Sequence, residues 1–364
     1  MPRAITMQKL DGGKPGAVYY PLEVTQYSTP SLSPTSLLVQ IHTVALNHRD
    51  LFLRQHLYPS PSFTTPYVSQ VGSAASKSWL GKRVILTPGR GWHSDPIGPE
   101  DAGGYKILDG TSTIPIGTLV EEVVIEQEEV EEAPAHLRDE EAAALPLCGL
   151  TGWRALVVKG GEGNLGAGKN VLITGIGGGV ALSVLQFAVG LGSNVFVSSG
   201  NLEKIEKAKG LGAKGGVSYK SEGWEKELKG LLKGYGKGSL DLIVDGAGGD
   251  IVRKATKLLK LGGTIVQYGM TISPKMDWSM PANLMNLELK GSTMGSRKEF
   301  KEMIQFVNEH KIKPVVSRVV KGIDNLGEIE ELFEDMKGGK QFGKLIIEVK
   351  GSDGGEGKGK ESKL

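Results

Sequence analysis

The sequence contains a single cysteine, Cys148, in 364 residues. One cysteine excludes an internal disulfide framework and a zinc site built from several cysteines. The chain also lacks an apolar run long enough to cross a membrane, and no hydrophobic signal-peptide core follows Met1–Ala4. Neither sign of charge is in clear excess, because 43 Lys and Arg stand against 41 Asp and Glu. The resulting net charge of +2 gives no reason to expect nucleic acid or an anionic membrane as a partner.

The composition is that of a globular protein with room for two domains. Hydrophobic residues make up 39% of the chain and charged residues 23%, so sizeable cores are possible. The first part has short runs rich in β-branched residues, separated by clusters of Gly and Pro, which predicts a β-rich domain. The acidic run Glu126–Glu132 is interpreted as a solvated turn. The strands predicted before it are 37–44, 82–86 and 119–125.

From residue 170 onward, short buried strands alternate with helical patterns. This alternation predicts an α/β protein with a parallel, doubly wound sheet. After Gly351 the chain consists of Gly, Lys, Glu, Ser and Asp almost to its end, which predicts a disordered tail. The predicted strands are 170–173, 194–197, 240–244, 264–268 and 344–348, and the predicted helices are 139–146, 177–192, 202–211, 250–261, 299–310 and 326–336.

A glycine-rich loop joins the first of these strands to an apolar helix. Glycines allow a backbone to approach a pyrophosphate closely, and a helix N-terminus offers free N–H groups and a positive dipole. A glycine-rich turn without a ligand is the alternative, but the strand and the helix on either side favour a dinucleotide site. We therefore predict a bound cofactor at this loop, with contacts from Gly175, Gly178, Gly179 and Val180.

The end of the next strand favours NADP(H) over NAD(H). An NAD site usually has an acidic residue there, which accepts hydrogen bonds from the ribose 2′-hydroxyl. Here Val197 is followed by serines, including Ser199, and then by Lys204, so that a 2′-phosphate would be accepted. The alternative is that Lys204 belongs only to the exposed face of the following helix.

These features, together with others, resemble the medium-chain dehydrogenase/reductase superfamily, and within it the zinc-independent, quinone-oxidoreductase-like and zinc-type alcohol dehydrogenase-like members. The resemblance extends over nearly the whole chain, to Val349, and it rests on the order and spacing of several modest motifs. Besides the glycine loop, these motifs are Asn47–Asp50, Arg54, Leu57–Pro59, Ala144–Leu156, Lys204, Leu211–Ala213, Asp245–Gly249, Gly262–Gly263 and Gly343–Lys344.

The resemblance implies a GroES-like β domain and a Rossmann domain with a doubly wound parallel sheet. The implied boundaries are 1–150 for the first domain, which 297–350 completes, and 151–296 for the NADP-binding domain. Residues 351–364 remain as the tail. The active site would lie in the cleft between the two domains.

The resemblance also implies roles for individual residues. Asn47 and Tyr58 would border the substrate, and Tyr58 would donate a hydrogen bond to an oxygen that gains negative charge. A role for Tyr58 in the cleft wall alone is the alternative. The other implied contacts are all with the cofactor: His48 at the pyrophosphate, Thr151, Tyr268 and Gly269 at the nicotinamide, and Tyr219 at the 2′-phosphate.

Two departures from the family pattern affect the chemistry. Zinc-dependent relatives have a cysteine at the position of Asn47, a Gly-His-Glu segment, and a cysteine or aspartate where this chain has Leu147. A catalytic zinc needs three protein ligands, so we predict that no metal is bound and that hydrogen bonds assist the hydride transfer.

The second departure lies between Pro66 and Gly72, where the chain is short by about one strand. A misassigned exon boundary or a real deletion would explain it, and a real deletion would weaken the first domain.

Two functions therefore compete. The first is an NADPH-dependent reductase of quinones, enones or enoyl thioesters, and the sequence does not exclude an alcohol or an aldehyde as substrate. The second is a catalytically weak NADPH-binding protein with a regulatory or structural role, which the missing strand favours. In either case we predict a homodimer, and for the enzyme a small-molecule substrate.

The last three residues, Ser362–Leu364, read Ser-Lys-Leu. This triplet at a free C-terminus is the peroxisomal address, and the polar tail before it would hold it accessible. We therefore predict a peroxisomal import receptor as a partner. The alternative is a cytoplasmic protein whose lysine-rich tail ends in this triplet by chance.

Overall fold

The structure is a computed structural model that describes residues 1–28, 31–57, 76–108, 117–236, 238–273 and 275–349. Within these ranges it has one large parallel sheet in the middle of the chain and smaller sheets formed by the rest. The predicted α/β class with a doubly wound parallel sheet is confirmed. None of the described helices is both long enough and apolar enough to cross a membrane. Tyr58, the short segment near Ser69 and the tail with its Ser-Lys-Leu end lie outside the described residues.

The first part of the chain forms short strands, because turn residues end each strand after a few positions. Its elements are β1 (Arg3–Met7), β2 (Leu22–Gln26), β3 (Ser36–Gln40), β4 (Thr43–Ala45), α1 (His48–Arg54), β5 (Val84–Leu86), β6 (Gly89–Arg90), β7 (Lys106–Ile107), β8 (Glu122–Glu126) and β9 (Val130–Glu132), with 3₁₀ turns at Lys77–Trp79 and Gln127–Glu129. Antiparallel pairs join β1 to β2, β3 to β8, β5 to β9 and β6 to β7.

The middle of the chain forms the large sheet and its helices. Its elements are α2 (Asp139–Ala143), α3 (Pro146–Trp153), β10 (Asn170–Ile173), α4 (Gly179–Gly190), β11 (Asn194–Ser199), α5 (Leu202–Gly210), β12 (Gly215–Ser218), α6 (Trp224–Leu232), β13 (Leu240–Asp245), α7 (Ile251–Leu258), β14 (Leu259–Gln267), α8 (Met280–Leu284) and β15 (Glu288–Gly291), with a π-helical turn at Arg154–Lys159 and a 3₁₀ turn at Glu162–Asn164. The strands pair in parallel in the order β12-β11-β10-β13-β14-β15. The order reverses beside β10, and such a reversal opens a crevice at the carboxyl ends of the strands.

The last part of the chain returns to the first. It consists of α9 (Arg297–Glu309), β16 (Val316–Lys321), α10 (Leu326–Lys337) and β17 (Lys344–Glu348). β17 lies parallel to β16 and antiparallel to β4, with Ile346 opposite Ala45. This pairing provides the contact that the implied completion of the first domain by 297–350 requires, although the exact boundaries stay a prediction.

The solvated turn predicted for the acidic run is wrong in part. Val130–Glu132 is a strand, and the side chain of Glu129 is buried. Nη2 of Arg90 donates to Oε2 of Glu129 over 2.8 Å. Because a buried carboxylate requires such a partner, the arginine accounts for the burial. The partner is distant in sequence, so the local charge pattern gave no sign of it.

A cavity of about 1000 Å³ lies between β3 and β5. Within the described residues, β3 pairs only with β8 and β5 only with β9, so each has one edge without a strand partner. Consecutive residues of both strands line the cavity, as expected where strand edges rather than faces form the wall. A further strand between β3 and β5 would pair there. That a strand is missing near Ser69 stays a prediction, because this segment lies outside the described residues.

Replacing Gly343 with alanine should loosen the attachment of β17. The φ of Gly343 is +116°, and a Cβ there would lie 2.5 Å from the carbonyl oxygen of Val315. We expect the free energy of opening, measured by amide hydrogen exchange in β17, to fall by about 1–3 kcal/mol. In the control Gly327→Ala, a Cβ meets no atom within 4 Å, so this free energy should not fall. Unchanged exchange in Gly343→Ala would contradict the close approach.

Candidate active site

The glycine loop between β10 and α4 is open on one side. Gly175 and Gly177 have φ values of +63° and +126°, a region that other residues rarely adopt. A Cβ at Gly175 or Gly178 would meet no atom within 4 Å. The backbone of the loop therefore faces free space that a ligand could fill.

The backbone N–H groups in the first turn of α4 are further hydrogen-bond donors beside this loop. Gly178 is the N-cap of α4 and offers no side chain to its N–H groups. Gly179 and Val180 then begin an apolar helix without acidic residues in its first turn. Free N–H groups and the positive end of the helix dipole suit an anion such as a pyrophosphate. The residues present thus fit the phosphates of a dinucleotide.

The start of β17 ties the glycine loop to α1. The backbone N–H of Gly343 donates to the carbonyl oxygen of Gly177 over 3.0 Å. Lys344 is only 6% exposed, and its Nζ donates to Oδ1 of Asn47 over 2.7 Å and to the carbonyl oxygen of Leu46. Asn47 is thereby held beside the predicted phosphate site.

Gly179 allows this close approach. A Cβ at Gly179 would lie 2.6 Å from both Sγ of Cys148 and Cδ of Lys344. The Cys148 thiol in turn lies 3.7 Å from Oδ1 of Asn47. Sequence reasoning assigned no role to Lys344 or Cys148, although Gly343–Lys344 was among the motifs of the resemblance.

The amide of Asn47 has a fixed orientation. Its Nδ2 donates to the carbonyl oxygen of Ala45 over 3.1 Å, and its Oδ1 accepts from Lys344. Because a lysine can only donate, the atom that faces it must be the amide oxygen. The backbone N–H of Asn47 donates to Oδ2 of Asp50 over 2.6 Å, which fixes the start of α1. Asp50 thus has the structural role of an acceptor.

His48 follows Asn47 as the first residue of α1. Desolvation and, secondly, the positive charge of Lys344 lower the pKa of its imidazole. At neutral pH the ring is therefore mostly uncharged and acts through hydrogen bonds. Its predicted contact with the pyrophosphate stays a prediction.

The predicted nicotinamide contacts lie on α3 and after β14. Thr151 is buried, and its Oγ1 donates to the carbonyl oxygen of Leu147 over 2.7 Å, so its hydroxyl is bonded within its own helix. The ring of Tyr268 packs against Gly246, where a Cβ would lie 2.5 Å from the phenol oxygen. Gly269 lies close to Gly246 as well, because a Cβ at Gly269 would be 3.2 Å from the carbonyl oxygen of Gly246.

A buried carboxylate supports this second group. Asp245 is fully buried, and it accepts hydrogen bonds from Oγ1 of Thr174 and, over 2.7 Å, from the N–H of Gly248. Burial raises the pKa of Asp245. Burial also raises the pKa of Tyr268, and the charge of Asp245 adds to that effect. The Tyr268 phenol therefore keeps its proton at neutral pH.

The residues predicted to contact the 2′-phosphate lie at two separate places in the structure. The N–H of Tyr219 donates to the carbonyl oxygen of Ser199 over 3.1 Å, and the Tyr219 hydroxyl lies over Gly200. The structure thus brings Ser199 and Tyr219 together. Lys204 instead lies over Gly177, and its Nζ donates to the carbonyl oxygen of Gly339 over 2.7 Å. Burial and, secondly, the charge of Lys207 lower the pKa of Lys204.

The cavity between β3 and β5 reaches this site. Asn47, Cys148 and Lys344 line one end of it, and mainly apolar residues of the first domain line the remainder. It is the candidate substrate cavity, although the predicted contact of Tyr58 lies outside the described residues. Over the described ranges, no three His, Cys, Asp or Glu side chains are grouped so that they could hold a metal ion.

Comparison with known proteins identifies the family. Residues 179–309 match the family model of zinc-binding dehydrogenases. The chain is 49% identical over 362 residues to the zinc-type alcohol dehydrogenase-like protein YogA of Leptosphaeria maculans, a match that covers 96% of this chain and all of the relative. It is 29% identical over 257 residues to the mitochondrial NAD(P)H oxidoreductase RTN4IP1 of Danio rerio, covering 64% of this chain and 63% of the relative.

Comparison with solved structures identifies the same family. The crystal structure of an NAD-dependent alcohol dehydrogenase superposes with a TM-score of 0.79 and 28% identity, over 96% of this chain and all of that one. The near-complete match to YogA and this superposition agree with the motifs quoted from the sequence. The chain belongs to the medium-chain dehydrogenase/reductase superfamily, among its alcohol dehydrogenase-like oxidoreductases.

Proposed function

We propose that the protein is an NADPH-dependent oxidoreductase that transfers a hydride to a quinone, an enone or a related carbonyl compound without zinc. The observation that carries this proposal is the bridge formed by Gly343 and Lys344. It brings the open loop Gly175–Gly179, which we propose binds the phosphates, next to Asn47 at the mainly apolar cavity between β3 and β5. A cofactor in the cradle and a carbonyl substrate in the cavity would meet there.

The chain's own residues would bind and orient both partners. The glycine loop and the first turn of α4 would hold the phosphates, and Tyr268, Gly269 and Thr151 would border the nicotinamide. When bound, the nicotinamide supplies a hydride. Two relatives, named as an NAD(P)H oxidoreductase and an NADP-dependent alcohol dehydrogenase, support the proposal of a nicotinamide cofactor.

NADPH is proposed over NADH because no carboxylate lies at the end of β11. The first acidic residue beyond it is Glu203, which is exposed and pairs with Nζ of Lys207 over 2.6 Å. Ser199 and Tyr219 lie side by side at that end, and Lys204 follows within reach of the glycine loop. Hydroxyls and a cation favour a phosphate over a ribose hydroxyl pair.

A catalytic zinc does not fit the residues around Asn47. The amide oxygen of Asn47 already accepts a hydrogen bond from the ammonium of Lys344, whose charge would repel a metal cation. Leu147 has no donor atom for a metal, and Cys148 points to Asn47 and Gly179. Zinc requires three protein ligands in such a site, and this set supplies at most one thiol.

A catalytically weak NADPH-binding protein is the second candidate. It is favoured by the edges of β3 and β5, which have no strand partner among the described residues, since a loose cavity wall would position a substrate poorly.

From the sequence alone, we also propose that the protein forms a homodimer and that Ser362–Leu364 directs its import into peroxisomes.

Turnover on a substrate panel separates the two candidates. We expect the purified full chain to oxidise NADPH with at least one of 1,4-benzoquinone, cyclohex-2-enone and crotonyl thioesters. Absorbance at the NADPH band would follow the reaction, and calorimetry would follow NADPH binding. Binding without turnover on any member would reject the enzyme and favour the weak binder.

Lys204→Ala should weaken NADPH selectively, because we propose that the ammonium of Lys204 leaves the carbonyl oxygen of Gly339 and contacts the 2′-phosphate when NADPH binds. A charge-assisted contact to a 2′-phosphate is worth roughly tenfold or more in affinity, whereas NADH has no such group. Titration calorimetry with both cofactors measures the difference. Lys209→Ala on the same helix is the control, because Lys209 is exposed and pairs with Glu206. Equal losses for NADPH and NADH would count against the assignment.

Metal analysis tests the zinc-free chemistry. We expect less than stoichiometric zinc in the purified protein and unchanged reductase activity after incubation with EDTA, because Asn47, Leu147 and Lys344 form no ligand set. Stoichiometric zinc that leaves together with the activity would overturn this expectation.

A further inference from the structure

The cavity between β3 and β5 is long as well as large. Its volume of about 1000 Å³ is at the upper end of the range for pockets that bind drug-sized molecules. Asn47 and His42 both line it, and the chain between them is extended, because the N–H of Leu46 donates to the Leu345 carbonyl and the N–H of Val349 donates to the His42 carbonyl. At about 3.3 Å for each residue of an extended chain, the ends of this run are roughly 16 Å apart.

An incomplete apolar cluster forms part of the cavity wall. Four of its side chains are only partly buried, and each of them also lines the cavity: Val39, Trp79, Val84 and Leu86. Val39 belongs to β3 and Val84 to β5, so the two walls on either side of the gap are both apolar. An apolar ligand that covers these side chains removes their surface from water, which favours binding.

The end of the cavity at His42 opens to solvent. His42, Arg83 and Asp139 line it there, and their side chains are between 40% and 61% exposed. Nε of Arg83 donates to Oδ1 of Asp139 over 2.9 Å, and Nδ1 of His42 lies 3.2 Å from Oδ2 of Asp139. A chain that is longer than the cavity would therefore pass between these side chains into water.

We propose that the substrate is a carbonyl compound with an unbranched apolar chain of about ten to twelve carbons, which extends from Asn47 between β3 and β5 toward His42. This inference rests on the proposed function and names the class of its substrate. With C–C bonds of about 1.5 Å, an extended chain advances about 1.25 Å for each carbon, so that roughly twelve carbons span the distance between Asn47 and His42.

The polar edges of the two strands are compatible with such a chain. A methylene group occupies about as much space as a water molecule, roughly 30 Å³, so a twelve-carbon chain fills only about a third of the cavity. The remaining volume holds water, which bonds the backbone N–H and C=O groups that point into the gap. The chain itself packs against the apolar side chains of the cluster.

A homologous series of enones tests the proposal. The full chain is assayed with NADPH and with pent-3-en-2-one, oct-3-en-2-one, dec-3-en-2-one, dodec-3-en-2-one and tetradec-3-en-2-one. We expect kcat/KM to rise about two- to fourfold for each added methylene, because each one buries more apolar surface in the complex. The rise should level off at about twelve carbons, since the end of a longer chain lies in water.

Two variants narrow the cavity from opposite walls. In Val39→Phe and Val84→Phe, the larger side chain should take space that the substrate chain needs. We expect the ratio of kcat/KM for dodec-3-en-2-one to that for pent-3-en-2-one to fall at least about tenfold in each. The short enone stays near Asn47, so its own kcat/KM should remain within about threefold of wild type, which also reports an intact fold. Val24→Phe, at a partly buried valine that packs in a different core, is the control and should leave the ratio unchanged.

Two kinetic results would overturn the proposal. The first is a kcat/KM that does not depend on chain length. The second is a ratio of long to short enone that stays at the wild-type value in both narrowed variants. Either result leaves the proposed function intact, whereas a wild type that reduces no enone or quinone rejects the function itself.

Binding decides the proposal in that last case. In calorimetry on the full chain with NADP⁺, dodecan-2-one should bind at least about tenfold more tightly than pentan-2-one, and Val39→Phe and Val84→Phe should reduce this difference. Equal affinities for the two ketones would overturn the proposal whether or not the protein turns over a substrate.

Discussion

The hydrogen bond from the ammonium of Lys344 to the amide oxygen of Asn47 joins parts of the chain that are 297 residues apart. It forms only because β17 returns to pair with β4 and because Gly343 adopts a φ of +116°. The same turn anchors Gly343 to the carbonyl oxygen of Gly177. The predicted phosphate loop, the candidate substrate cavity and β17 therefore meet at one point.

This contact also explains the electrostatics of the site. Burial and, secondly, this cation held by neutral oxygens lower the pKa of His48. The same charge supports the proposal that no metal cation binds beside Asn47. On the other side of the glycine loop, Lys204 lies against Gly177. Positive charge thus flanks the loop on both sides, in keeping with the proposed polyanionic cofactor.

The sequence predicts best what depends on local pattern. β10 was predicted at its observed bounds, and the glycine loop was placed correctly, because a buried parallel strand is apolar throughout and glycines mark the turn after it. The edge strands Gly215–Ser218 and Glu288–Gly291 were missed, since one is rich in glycine and the other is polar. Glu129 and Lys344 were not understood from sequence because the partners that explain their burial, Arg90 and Asn47, lie far away along the chain.

A crystal structure of the full chain with NADP⁺ and cyclohex-2-enone would test the central claim most directly. The account predicts the cofactor phosphates at the loop Gly175–Gly179 and Nδ2 of Asn47 within about 3.2 Å of the ketone oxygen, with no metal beside Asn47. A structure with the cofactor phosphates away from this loop, and with no contact from Asn47 to the ketone, would contradict it.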